Sequence, residues 1–116
     1  MSDRHLATLT TRDARGDLQV TPVGFTWDAE RSLARVITWA TSVKALNVAA
    51  DPGQAVALCQ VDGGRWLTLH GRAEVTDERG AVVEAVSRYA ERYRQPRERS
   101  DRVVIEIAVS RIIGRV

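Results

Sequence analysis

One lysine, Lys44, stands among 17 basic residues in this 116-residue chain; the others are all arginine. It lies in TWATSVKALNVAADPG, residues 38–53, where Thr41 and Ser42 open a run of helix formers and Asp51-Pro52-Gly53 ends it. With either hydroxyl residue as N-cap, Lys44 falls at the second or third helical position. A cation there opposes the positive end of the helix dipole, at a cost of ~0.3–1 kcal/mol. An anion bound at the same place removes that cost. Free backbone N–H groups, the Thr41 and Ser42 hydroxyls and a lysine together suit a phosphate. Asn47, one turn on along the same face, can add a side-chain N–H. The residues alone leave a second reading open, in which Lys44 is a solvated survivor of a bias toward arginine and Asn47 caps or packs.

The second unusual stretch is QVTPVGFTW, residues 19–27. Pro22 sits within a strand-like run and removes one ladder hydrogen bond. Gly24 follows two residues later on the same face and leaves a bare patch. An edge strand or bulge explains the pair structurally. Functionally, small side chains let a planar ring approach the backbone closely.

Other chemistries find little support. No Ser/His/Asp triad or carboxylate pair is evident. Two histidines and one cysteine, far apart in sequence, have no metal-ligand spacing. Cys59 lies in an apolar strand pattern, reads as buried filler, and has no intramolecular disulfide partner, which fits a reducing cytoplasm. The first residues lack the apolar stretch of a secretory signal, and no apolar run is long enough to span a membrane. Arg88, Arg92, Arg94, Arg97, Arg99 and Arg102 cluster within a short stretch, diluted by Glu91, Glu98 and Asp101. Such a run is a solvated loop or a docking surface for an acidic partner. Without interleaved aromatics it does not point to nucleic acid.

The elements that must position these residues are mostly strands. RWLTLHGRAEVT, residues 65–76, alternates cleanly, with Leu67, Leu69, Gly71, Ala73 and Val75 on one face and Trp66, Thr68, His70, Arg72 and Glu74 on the other. A strand of that length, roughly 40 Å, must coil, and Gly71 is the natural bend. Residues 103–109 alternate as well, and further strands are expected at 5–11, 18–27, 33–39 and 55–62, with turn signals between them. Six strands with short hairpins suggest a closed or nearly closed antiparallel barrel. Helices are expected at 42–50 and at about 78–93, where Val82, Val86, Tyr89 and Tyr93 recur at helical spacing. The length fits a single domain over residues 1–116.

Taken in order, HLATLTT, TPVGF, VITW, TSVKALN, QVDGGRWLTLHGRAEV and RYAERYRQPR resemble the split-barrel flavin and deazaflavin reductase superfamily, which includes pyridoxamine 5′-phosphate oxidase-like proteins. Within it they look most similar to the actinobacterial biliverdin reductases that use coenzyme F-420, an 8-hydroxy-5-deazaflavin. The similarity runs from about His5 to Gly114. The resemblance implies a six-stranded split β-barrel with two helices, a homodimer, and cofactor sites at its interface. The cofactor phosphate is then expected near Thr38, Thr41, Ser42, Lys44 and Asn47, and the ring against Thr21, Pro22, Val23, Gly24 and Val36. Trp66 is expected to approach from the other subunit. Two departures stand out: the family's N-terminal helix before the first strand has no counterpart, and the longer C-terminal segment of true pyridoxamine 5′-phosphate oxidases is absent, which argues against that activity.

The implied chemistry belongs to the cofactor, which gives a hydride to an unsaturated acceptor such as a tetrapyrrole, while the protein binds and orients. His70, Arg94 and Arg97 are candidate substrate contacts, His70 as a proton source on the polar strand face. The arginine segment would attract a poly-glutamate tail on the cofactor or the propionates of a tetrapyrrole. Alternatives are an FMN-dependent oxidase or reductase using the same phosphate site, and a non-catalytic heme- or cofactor-binding protein.

Overall fold

A computed structural model describes residues 5–115; the ends of the expected domain, residues 1–4 and 116, lie outside the described residues. The order of elements is β1 (Ala7–Arg12), β2 (Leu18–Val23), β3 (Thr26–Asp28), β4 (Leu33–Trp39), α1 (Val43–Ala50), β5 (Gln54–Asp62), β6 (Arg65–Thr76), α2 (Arg79–Arg92) and β7 (Arg102–Arg115). The strands form one antiparallel sheet in the order β2-β1-β5-β6-β7-β4-β3. Seven strands replace the six expected, because the 18–27 run breaks at Gly24-Phe25 into two strands on opposite edges of the sheet. Only two residues join those edges. The sheet therefore has to curl until its edges nearly meet, and it remains split at that seam, not closed.

The interior is filled from the alternating faces the sequence displays. Leu9, Phe25, Val36, Leu58, Leu69, Ile105 and Ile107 are buried together, with Val48 of α1 plugging one end. Asn47 and Gln54 complete that plug: Asn47 Nδ2 donates to Thr11 Oγ1 at 3.1 Å, and Gln54 Nε2 donates to the Asn47 carbonyl at 2.9 Å.

β6 runs over the span expected, and its bend is at Gly71. Opposite the His70–Gly71 step, β7 carries an extra residue, Ser110, since His70 pairs with Arg111 and Gly71 with Val109. A β-bulge of this kind shifts the side-chain phase. That shift is why β7 continues to Arg115 although alternation in the sequence stops at Val109. A Cβ at Gly71 would collide with the carbonyl oxygen of Ala108 and lie 2.9 Å from its carbon. Gly71→Ala should therefore part β6 from β7 at a cost of ~1–3 kcal/mol, read as a lowered urea midpoint; an unchanged midpoint would show that the two strands separate there without cost.

α2 lies on the outside of β3, β4 and β7. Beneath it is an ion network that the sequence pattern did not announce. Asp28, almost fully buried, takes Arg31 Nη1 at 2.9 Å, Arg35 Nη1 at 3.1 Å and Arg88 Nη2 at 3.5 Å. Glu84 of α2 meets Arg88 at 3.3 Å and Arg35 at 3.6 Å. Arg31 above all, then Arg35 and Arg88, hold the Asp28 carboxyl at about 2, below its ordinary value of 3.8. A lowered carboxylate pKa contributes stability that is complete above the unfolded value and lost as pH falls toward the folded one. Wild-type stability should accordingly drop between about pH 4 and pH 2. Asp28→Asn should be less stable at neutral pH and show a flatter decline over that window in urea melts; equal slopes would remove Asp28 from the acid response.

Candidate functional site

α1 starts where sequence logic places it. Ser42 is the N-cap, in extended conformation, and its Oγ accepts from the Ala45 N–H at 3.3 Å. Thr38 Oγ1 donates to the same oxygen at 2.9 Å. These two hydroxyls thus build the cap and are buried by it. Thr41 remains exposed beside it. Lys44 is the second helical residue and half-buried. Burial pushes its ammonium pKa down, and no nearby carboxylate opposes the shift. The Nζ lies 5.3 Å from the centre of the Trp39 ring, within cation–π range. The Arg99 guanidinium lies 4.9 Å from the same ring, itself paired with Asp101 at 2.9 Å.

Lys44 opens onto a cleft of about 270 Å³. One wall is Pro22, Val23 and Gly24 at the end of β2; another is Ile37, Thr38 and Trp39 of β4; Tyr89, Pro96 and Arg102 close it. The two anomalies of the sequence, a lysine at a helix start and a proline in a strand, therefore face one space. Strand pairing explains Arg102, because it sits opposite Trp39 across β4 and β7 and so projects to the same side. Its Nη2 donates to the Arg97 carbonyl at 2.8 Å, and burial pushes its pKa down, with Arg99 adding to the shift and Asp101 opposing it. Lys44 and Arg102 are thus two partly desolvated cations, neither in a salt bridge with a described carboxylate. Partly desolvated cations outside any salt bridge suit an anionic ligand.

Pro22, Val23, Gly24, Thr38 and Lys44 are brought together here. Other residues singled out in the sequence are placed elsewhere. Val36 is in the barrel core, and Ile37, one residue on, faces the cleft, because alternate residues of a strand point to opposite sides. Thr21 shares the inward face with its partner Leu9. Asn47 is turned to Thr11 and does not line the cleft, so the packing alternative describes it. Gly24 offers no bare patch to a ring: a Cβ there would lie 3.0 Å from Tyr89 Cε2 and 3.1 Å from Tyr93 Cε2, so tyrosines of α2 already cover it. Trp66 stands at the β5–β6 hairpin opposite Val61, outside the cleft of its own chain. His70 is on the outer sheet face between Ala57 and Arg111.

The arginines of the basic run divide. Arg92 is buried, donating to the Phe25 carbonyl and to Gln60 Oε1, both at 2.6 Å. Arg88 belongs to the Asp28 network. Arg97, Arg99 and Arg102 rim a second groove of about 470 Å³, floored by Val82, Val86 and Pro96; Pro96 and Arg102 also line the first cleft, so the two are contiguous. Arg94 is exposed and lines neither. Trp39, Tyr89 and Arg102 were missed as site residues. Trp39 and Arg102 had a signal only in their cross-strand pairing, which requires knowing the register.

The donor set suits a deazaflavin or flavin phosphate: two cations outside any salt bridge beside a helix start, and Pro22 and Ile37 for apolar ring surface. Among the described residues no cluster suited to a metal ion occurs, and no helix is long and apolar enough to cross a membrane.

Comparison with known proteins shows the family. The chain is 50% identical over 114 residues, 98% of its length and 82% of the relative's, to a protein of Mycobacterium tuberculosis described as a biliverdin reductase dependent on reduced F-420. In fold it is similar to a conserved hypothetical protein of the same organism, with a TM-score of 0.81 at 23% identity, covering 97% of this chain and 78% of that one. It is also similar to an F-420 reductase, with a TM-score of 0.77 at 24% identity, covering 97% and 91%. Residues 1–115 match the family described as pyridoxamine 5′-phosphate oxidase, and with a seven-stranded split barrel behind the match, the chain belongs to that family.

Proposed function

We propose that this protein is a reductase that uses reduced coenzyme F-420, and that its acceptor is a tetrapyrrole such as biliverdin. The observation that carries the reading is the cleft in which Lys44 and Arg102, both short of counter-charge, flank Trp39 opposite Pro22 and Val23. Support for the cofactor and acceptor comes from the relative at 50% identity, named for both.

Each residue then has a physical task. Lys44 and Arg102 hold the phosphate, and the exposed Thr41 hydroxyl and the first N–H groups of α1 stand beside them. Pro22 and Ile37 present apolar surface to the ring. When bound, the reduced deazaflavin supplies a hydride; the chain supplies binding, orientation and exclusion of water. The adjoining groove, apolar along Val82, Val86 and Pro96 and basic at Arg97 and Arg102, suits a ligand with an apolar body and carboxylates, whether tetrapyrrole propionates or a poly-glutamate tail.

A homodimer fits the remaining surface. On the outer face of β2, β1, β5 and β6, cross-strand pairs put Val20 beside Thr10, Thr8 beside Cys59 and Val61 beside Trp66. Val20 is 61%, Val61 59% and Trp66 38% exposed. α1 reaches β1 through Thr11, on the opposite, inward face, so it does not cover these residues. An apolar sheet face of this breadth is the kind of surface that self-association buries. A second copy would bring Trp66 toward the partner's cleft. Light scattering at micromolar concentration should give a dimer, and Trp66→Glu should shift it to monomer; a monomeric wild type overturns the shared site.

The cofactor reading is tested by titrating the protein with F-420, FMN and heme in parallel. Binding of F-420 is expected, whereas preference for FMN or heme would make this chain a flavoprotein or a heme-binding protein. A charged hydrogen bond is worth ~1.5–3 kcal/mol, so Lys44→Ala should weaken F-420 binding roughly ten- to a hundredfold. The unliganded variant should be as stable as wild type or slightly more so, since it loses an unfavourable charge–dipole contact. Wild-type affinity would make Lys44 an ordinary surface cation.

A further inference from the structure

Tyr89 and Tyr93 are one turn apart on α2 with ring centres at 4.7 Å, yet their hydroxyls are used differently. Tyr93 Oη accepts from the Phe25 N–H at 3.2 Å and donates to the His5 carbonyl at 3.0 Å. Tyr89 Oη makes no hydrogen bond with any described residue. Its ring is nevertheless held in place, against Tyr93 on one side and the Gly24 backbone on another. Tyr89 also lines the cleft with Thr38, Lys44 and Arg102. A fixed ring carrying an unspent hydroxyl, on the wall of this cleft, has donor capacity available to a ligand.

We propose that Tyr89 is the proton donor of the reduction; this rests on the reading that the cleft holds the reduced deazaflavin beside its acceptor. Reduction of a double bond adds a hydride at one atom, with both electrons from the cofactor, and leaves negative charge at the other. The Tyr89 O–H bond breaks and its proton bonds to that second atom. The phenolate left behind is reprotonated by water. Tyr93 cannot take this role, because its hydroxyl proton is committed to the backbone at the seam.

The test compares Tyr89→Phe with Tyr93→Phe. For Tyr89→Phe, affinity for oxidised F-420, measured by titration, should stay within about twofold of wild type, and the unfolding midpoint should not move, because the hydroxyl holds nothing. Its kcat for biliverdin reduction should fall roughly a hundredfold or more, the usual scale of general-acid catalysis. Tyr93→Phe should do the reverse, lowering the midpoint while the folded protein keeps its kcat. A Tyr89→Phe enzyme with wild-type kcat overturns the proposal and leaves the reductase reading standing. Equal losses of affinity and kcat would make Tyr89 a binding wall and overturn it as well. A wild type that binds F-420 but leaves biliverdin unreduced overturns the acceptor named above, and the proposal falls with it.

Discussion

At the seam of the barrel the chain passes from one sheet edge to the other through Gly24 and Phe25, and there the backbone loses its ladder partners. A buried N–H or C=O left unpaired costs on the order of 1–3 kcal/mol. α2 supplies both missing partners: the Tyr93 hydroxyl takes the Phe25 N–H, and the Arg92 guanidinium takes its carbonyl. Arg92 also lies 4.7 Å over the Phe25 ring, so one side chain serves the corner's backbone and its core residue together. The rest of the site follows from this clamp. With the end of α2 pinned at Phe25, Tyr89, one turn earlier, lies over Gly24, where a Cβ would crowd it. The cleft wall is a by-product of satisfying the seam.

Charge is distributed on the same economy. Arginines beneath α2 meet Asp28 and Glu84, and Arg99 meets Asp101. These cations are compensated within the chain and hold elements together. Lys44 and Arg102 are left over, both partly desolvated and both on one cleft. A net charge of +2 conceals this division. Under the proposed reading a lysine suits position 44: a compact ammonium on a flexible stem would reach a phosphate from the first turn of a helix, where the dipole otherwise disfavours it.

Most of the fold was legible in the chain itself. Period-two alternation located β4, β5 and β6, helical spacing and capping residues located α1 and α2, and Gly71 announced the bend in β6. Two departures have local causes. The run over 18–27 reads as one strand because a seam crossing leaves hydropathy unchanged while it ends the ladder. β7 reads as short because the bulge at Ser110 reverses the phase of alternation without ending the strand.

The sequence by itself determined that a helix start bearing a cation and a proline-bearing strand exist, since a cation opposing a helix dipole and a missing ladder N–H are local facts of the chain. It also carried enough ordered similarity to point to the family. Only the tertiary structure decided which residues share the site. Register put Arg102 beside Trp39; the parity of β4 sent Ile37 to the cleft and Val36 to the core; the packing of α1 turned Asn47 toward Thr11. Each of these depends on partners far away in sequence. A local pattern can name the two faces of an element, but what a face meets is decided by the element packed against it.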